Sequence, residues 1–201
     1  MTERDIIVIG ASAGGVEAVR QLVRSLPSRL DASIFIAIHF PAHGTSMLPR
    51  ILSREGHLPV VHAFDGDTVI RGRIYVAPPD SHLLFEHRRI QLARGPRENG
   101  CRPAIDPMFR SAAVAFGPRT IGVVLTGNLD DGTSGLASIK RHGGLAVVQD
   151  PDDARFPSMP LSALEHVVVD RVVPIRGMWS ALDELTNAPI ETADPRSCRT
   201  M

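Results

Sequence analysis

The first apolar run of the chain, Ile6-Ile7-Val8-Ile9, is rich in β-branched residues and bounded by Asp5 and Gly10. A short unbroken run of this kind predicts a strand buried on both faces of a parallel sheet. Ile34-Phe35-Ile36-Ala37-Ile38, Ile121-Gly122-Val123-Val124-Leu125 and Leu145-Ala146-Val147-Val148 repeat the pattern. Between these runs the spacing changes to that of helices. Val16, Val19, Leu22, Val23 and Leu26 follow Gly14-Gly15, and Pro27 closes the segment. Thr45 is placed to cap a helix through Met47, Leu48, Ile51 and Leu52. Asp106 reads as an N-cap before Pro107, with Met108, Phe109, Ala112, Ala113 and Ala115 leading to Gly117. Further helices are predicted over Gly132–His142, stopped by Gly143-Gly144, and over Met159–Glu165 and Met178–Leu185.

Shorter strands are predicted at Val60-Val61, Ile74-Tyr75-Val76 and, last in the chain, Val167-Val168-Val169. His82–Phe85 and Ile90–Leu92 form a hairpin pattern across Glu86–Arg89, which would be antiparallel. Arg94–Arg102 reads as a polar, glycine-containing loop. Strands alternating with helices imply an α/β fold: a doubly wound, mostly parallel sheet with helices on both faces and a small antiparallel hairpin. Ligands of such sheets bind outside the carboxyl ends of the strands, at a topological switch point. No repeat or low-complexity linker divides the chain, so one domain is expected over residues 1–188. The polar residues 189–201 are expected to form a disordered tail.

Composition narrows the function. Lys and Arg number 22 against 22 Asp and Glu, so bulk charge gives no sign of nucleic-acid or membrane binding. Arg88, Arg89, Arg94, Arg97 and Arg102 fall close together and read as a solvated basic loop. Cys101 and Cys198 stand far apart, without metal-ligand or disulfide spacing, which fits a reducing, cytoplasmic compartment. The amino terminus has neither a signal-peptide pattern nor a membrane span, so direct membrane insertion is not expected.

Three predicted strands end in chemistry. The first leads into Gly10-Ala11-Ser12-Ala13-Gly14-Gly15, a G-x-S-x-G turn that presents a serine before a helix. Backbone N–H groups just after Ser12, that of Ala13 included, are available to an oxyanion. A dinucleotide-binding turn and a plain structural turn fit this motif alone about as well. Ser12 occupies the central glycine position of the dinucleotide pattern, however, where a side chain obstructs a pyrophosphate. The second strand ends at His39, a candidate general base. The third ends in Leu125-Thr126-Gly127-Asn128-Leu129-Asp130-Asp131-Gly132, whose carboxylates could orient a histidine, cap the next helix or bind a metal. No His/Cys/Glu cluster accompanies them, so no metal is assigned. Together the segments read Ser…His…Asp, an order that differs from that of standard α/β-hydrolases.

With these motifs in hand, the chain resembles the catalytic domain of the chemotaxis-type protein-glutamate methylesterases, from about Ile6 to Ile175. The resemblance rests on Ile9–Gly15, His39-Phe40-Pro41, Val76–His82, Arg102–Ala113, Leu125-Thr126-Gly127 with Asp131-Gly132, Gly143-Gly144, Gln149-Asp150 and Ser158-Met159-Pro160. It implies a Rossmann-like fold and hydrolysis of glutamate γ-methyl esters on chemoreceptor signalling helices. Deamidation of selected receptor glutamines is the same chemistry in some members. It further implies Ser12 as nucleophile, His39 as base and Asp131 as the orienting carboxylate, with no cofactor. Competing readings are a receptor-binding module with weakened catalysis and a serine esterase for another substrate.

The chain departs from the family pattern at three places. Asn128-Leu129 stands where the family commonly has Met-Gly, which puts Asn128 rather than methionine at the oxyanion pocket. Leu161 replaces an arginine after Met159-Pro160. The chain begins almost directly at the first catalytic strand, so a stand-alone domain without an amino-terminal receiver domain is expected.

Overall fold

The structure is a computed structural model, and it describes residues 3–39 and 46–190. Its elements run β1 (Ile6–Ala11), α1 (Gly15–Ser25), β2 (Ser33–Ile38), α2 (Leu48–Leu52), β3 (Val60–His62) and β4 (Ile74–Val76). The hairpin β5 (His82–Glu86) and β6 (Arg89–Ala93) follows, then α3 (Ile105–Phe116), β7 (Thr120–Val124) and α4 (Thr133–Arg141). The last elements are β8 (Leu145–Gln149), α5 (Ser158–His166), β9 (Arg171–Val173) and α6 (Met178–Asn187). Seven strands form one parallel sheet in the order β3-β4-β2-β1-β7-β8-β9. The order reverses at β1, which lies between β2 and β7. This is the doubly wound arrangement that the alternating pattern predicts.

The apolar runs are buried because both sheet faces are covered. On one face Ile7, Ile9, Ile34, Ile36 and Val123 pack with Val19 and Leu22 of α1, Leu52 of α2 and Leu182 of α6. On the other, Val8, Phe35, Tyr75 and Val148 meet Met108 and Phe109 of α3, Leu136 of α4 and Met159 of α5. Each such side chain contributes about 1.5–3 kcal/mol when fully buried. The hairpin packs on the second face through Leu83 and Phe85, and Phe85 stands edge-on to Phe35 with ring centroids 4.7 Å apart.

Several local expectations change. The last strand is Arg171–Val173, not Val167–Val169, and Val168 is 82% exposed. Asp170 fixes that edge: its N–H donates to the Ala146 carbonyl, and its carboxylate accepts from Ala146 N and Lys140 Nζ. Asp106 is not the N-cap of α3. Ala104 holds the cap position, and the Asp106 carboxylate turns to another helix. In the expected basic loop, Arg102 is ion-paired to Asp80 at 2.6 Å and only 19% exposed. Thr45, proposed to cap α2, and most of the expected disordered tail lie outside the described residues.

Asp5 anchors the amino end of β1 and is almost fully buried. Arg119 donates to both of its oxygens, at 2.8 and 2.7 Å, and Arg71 adds two bonds at 3.0 and 2.7 Å. Burial pushes the carboxyl pKa up. The hydrogen bonds and charges of Arg119 and Arg71 together outweigh burial and hold it below the usual value. A depressed carboxyl pKa stabilises the fold above the unfolded value near 4, and that stability is lost as pH falls through the folded value. Asp5→Asn is therefore expected to cost about 2–3 kcal/mol at pH 7, allowing for the exposure of Arg71. The difference should shrink below about pH 4. Urea denaturation at pH 7 and pH 3 measures both, and equal stability at pH 7 would refute the anchoring role.

Candidate active site

Because β1, β2 and β7 are parallel neighbours, their carboxyl ends open on one edge of the sheet. Ala11 lies opposite Ile38, so Ser12 and His39 leave the sheet side by side. Beyond the last residue of β7, the pairing continues into the loops. Leu125 N donates to the Gly10 carbonyl, and Ser12 N donates to the Thr126 carbonyl. The serine turn is thereby tied to the loop that carries Asp131.

The three side chains meet. His39 Nδ1 lies 3.0 Å from Ser12 Oγ, and His39 Nε2 lies 2.6 Å from Asp131 Oδ2. Asp131 is 1% exposed and His39 15%. Asp130, the alternative carboxylate of the pair, is exposed, and its carbonyl accepts from Thr133 N in the turn into α4. An ionised Asp131 can only accept, so Nε2 carries the ring proton and Nδ1 is left to accept the Ser12 hydroxyl. The ring is used in the opposite sense to the chymotrypsin arrangement, where Nε2 faces the serine.

Asp131 is held at four points. Oδ2 also accepts Ile105 N at 2.8 Å, while Oδ1 accepts Asp106 N at 3.0 Å and Asn99 Nδ2 at 2.9 Å. The carboxylate sits at the amino end of α3, where free N–H groups and the helix dipole favour negative charge. Capping was one expectation for this residue. It caps the helix before β7, however, rather than the one after it. Asp106 returns the exchange: its Oδ1 accepts Gly132 N at 3.1 Å and Gly135 N at 2.6 Å, at the start of α4.

Burial pushes both carboxyls up, with opposite net results. For Asp131 the bonds from His39, Ile105 and Asp106 overcome burial and hold its pKa below the usual range. For Asp106 burial prevails; the Gly135 bond opposes it, and the nearby Asp131 charge adds to the rise.

The serine turn is braced from behind. Gly14 has φ +74, a conformation that an L side chain strains to adopt. Thr126 Oγ1 donates toward the carbonyls of Ala13 and Phe156 and accepts Phe156 N, while Thr126 N donates to Gln149 Oε1. The Ala13 and Gly14 N–H groups form no hydrogen bond among the described residues. Asn128 is exposed and has no side-chain hydrogen bond to Ser12 or His39. Asn99 was missed in the sequence. Its signal was available: Asn99-Gly100 is the pair favoured in a two-residue turn with both φ values positive. Here they are +48° and +72°, between the mutually bonded Glu98 and Cys101.

A serine, a histidine and a buried carboxylate in hydrogen-bonded line, at the carboxyl edge of a doubly wound sheet, are the constellation of a serine hydrolase. The particular family follows from comparison: residues 7–182 match the CheB methylesterase family model, and the chain belongs to that family. A Leptospira interrogans protein, provisionally named protein-glutamate methylesterase/protein-glutamine glutaminase, is 40% identical over 172 residues, covering 85% of this chain and 89% of its own. A Pyrococcus abyssi protein-glutamate methylesterase/protein-glutamine glutaminase is 38% identical over 86% of this chain, which spans 48% of that relative. The crystal structure of the Thermotoga maritima CheB methylesterase catalytic domain superposes with a TM-score of 0.86 at 32% identity. It covers 92% of this chain and 100% of the other.

Gly127 fills the closest approach in the site. A Cβ there would lie 2.1 Å from Met159 Sδ and 2.8 Å from Ser12 Cβ. The methionine end can move, but Ser12 is fixed by its turn. Gly127→Ala is expected to slow modification of Ser12 by phenylmethylsulfonyl fluoride about 100-fold. The stability cost should be only about 1–3 kcal/mol. Intact-mass kinetics alongside thermal unfolding test this. Undiminished labelling would show that the serine tolerates displacement.

Proposed function

We propose that this chain is a protein-glutamate methylesterase that hydrolyses glutamate γ-methyl esters on chemoreceptor signalling helices, in the cytoplasm, with Ser12, His39 and Asp131 as its catalytic triad. The observation that carries the reading is the unbroken line from Ser12 Oγ through both nitrogens of His39 to Asp131. Membership of the CheB methylesterase family supplies the substrate class. No helix among the described residues is long and apolar enough to cross a membrane.

In this reading His39 Nδ1 accepts the Ser12 proton as Oγ attacks the ester carbonyl. The imidazolium that forms is stabilised by ionised Asp131. The tetrahedral oxyanion is met by the N–H of Ala13, unengaged among the described residues, with the Asn128 amide proposed as a further donor. Collapse expels methoxide, which takes the proton from Nδ1 and leaves as methanol. Water then gives its proton to Nδ1 as its oxygen attacks the acyl-enzyme. The second tetrahedral intermediate collapses with Ser12 Oγ taking that proton back from Nδ1, which frees the serine and a glutamate side chain. A receptor glutamine follows the same course with ammonia as the leaving group. None of these steps calls for a cofactor or a nucleic-acid partner.

The test is methanol release from methylated receptor by the native protein and by Ser12→Ala. A fall of about 10⁴-fold or more is expected. Equal rates would overturn the mechanism. Receptor binding without turnover by the native protein would favour a binding module instead.

A further inference from the structure

The two buried carboxylates behind His39 share one donor. Asn99 Nδ2 lies 2.9 Å from Asp131 Oδ1 and 3.3 Å from Asp106 Oδ2. Among the described residues, every other donor to Asp131 besides His39 is a backbone N–H of α3, and the two donors to Asp106 Oδ1 are backbone N–H groups at the start of α4. Asn99 is therefore the one side chain among the described residues that bridges the pair. It enters from outside: the residue is exposed, at the tip of the turn closed by Glu98 and Cys101. That turn is itself pinned. Arg110 Nη2 donates to Glu98, His82 Nε2 donates to the Pro96 carbonyl, and Arg102 holds Asp80 and the Gly95 carbonyl. A surface loop fastened at several points thus delivers one amide between two buried carboxyl groups.

We propose that Asn99 is a positioning residue for the reaction, holding Asp131 aimed at His39 by bridging it to Asp106. The proposal rests on the triad reading above and goes beyond it. With Asn99 in place, Asp131 Oδ1 and Asp106 Oδ2 each face an N–H of the same nitrogen. Without it they face one another with no donor between them, and repulsion turns Asp131 away from the line to His39.

Asn99→Gly tests this with little backbone penalty, because glycine readily adopts the positive φ of this turn. Expected is a fall in kcat for methanol release of roughly 10- to 100-fold with KM little changed. Asn99→Asp keeps the size and places a third carboxylate there, so it should be worse than Asn99→Gly. The discriminating comparison is made in an Asp106→Asn background, where one of the facing charges is gone. There the further loss on Asn99→Gly should shrink to less than about threefold. An independent readout is the nuclear magnetic resonance signal of the His39 Nε2 proton. Asn99→Gly should shift it and speed its exchange with water, and Asp106→Asn should reverse both changes.

Unchanged kcat and unchanged resonance in Asn99→Gly would overturn the proposal. An equal loss in both backgrounds would also overturn it, because the bridge would then not be what Asn99 supplies. If the native protein releases no methanol, the functional reading fails, and the His39 resonance alone decides the role of Asn99.

Discussion

The site depends on an exchange of carboxylates between two helices. Asp131, in the loop that starts α4, terminates the N–H groups of α3. Asp106, in the first turn of α3, terminates those of α4. Either helix alone could be capped by a residue just before it. Crossing the caps makes each helix start depend on the position of the other. Gly135 permits the close approach this needs, since a Cβ there would meet Phe109 Cβ at 2.5 Å. The arrangement fixes a buried carboxylate without spending it: after two backbone N–H groups and Asn99 are served, Oδ2 still has a lone pair for His39.

The same exchange accounts for the contrast between two aspartates of equal chemistry. Both are deeply buried, and burial disfavours charge in each. Asp131 receives enough donors to remain the stronger acid. Asp106 receives fewer and feels the charge of Asp131 besides. A carboxylate meant to stabilise a transient imidazolium must be ionised when the imidazole accepts its proton. The depressed pKa of Asp131 follows from its place in the fold before any substrate is considered.

The sheet was legible because fully buried parallel strands must be apolar throughout, and the runs at Ile6, Ile34, Ile121 and Leu145 are. The three site residues were legible for a related reason: each follows a strand, and parallel strands place such residues on one edge. Edge and exchange features were not legible. The run Val167–Val169 is as apolar as a core strand, yet Asp170 sets the register of β9 through a side-chain bond that no hydropathy pattern encodes. Asp106 carries the local signature of an N-cap, but its partner lies 26 and 29 residues away. Asn99-Gly100 announced a turn, while its contact with Asp131 depends on where the loop is fastened.

The turn after β1 shows how the fold leans toward acyl chemistry over nucleotide binding, the alternative that the glycine pattern left open. A pyrophosphate on a first-strand turn needs room over the backbone and several unengaged N–H groups. Here Ser12 N is committed to Thr126, Gly15 N to the Ser12 carbonyl, and the space beside Ser12 is closed by Gly127 and Met159. Among the described residues of the turn, the N–H groups of Ala13 and Gly14 are left over. Two adjacent donors next to a nucleophile suit a single developing oxyanion better than a chain of phosphates. In the proposed mechanism the serine at the central glycine position does two things: it supplies the attacking oxygen, and its side chain takes the room a nucleotide would require.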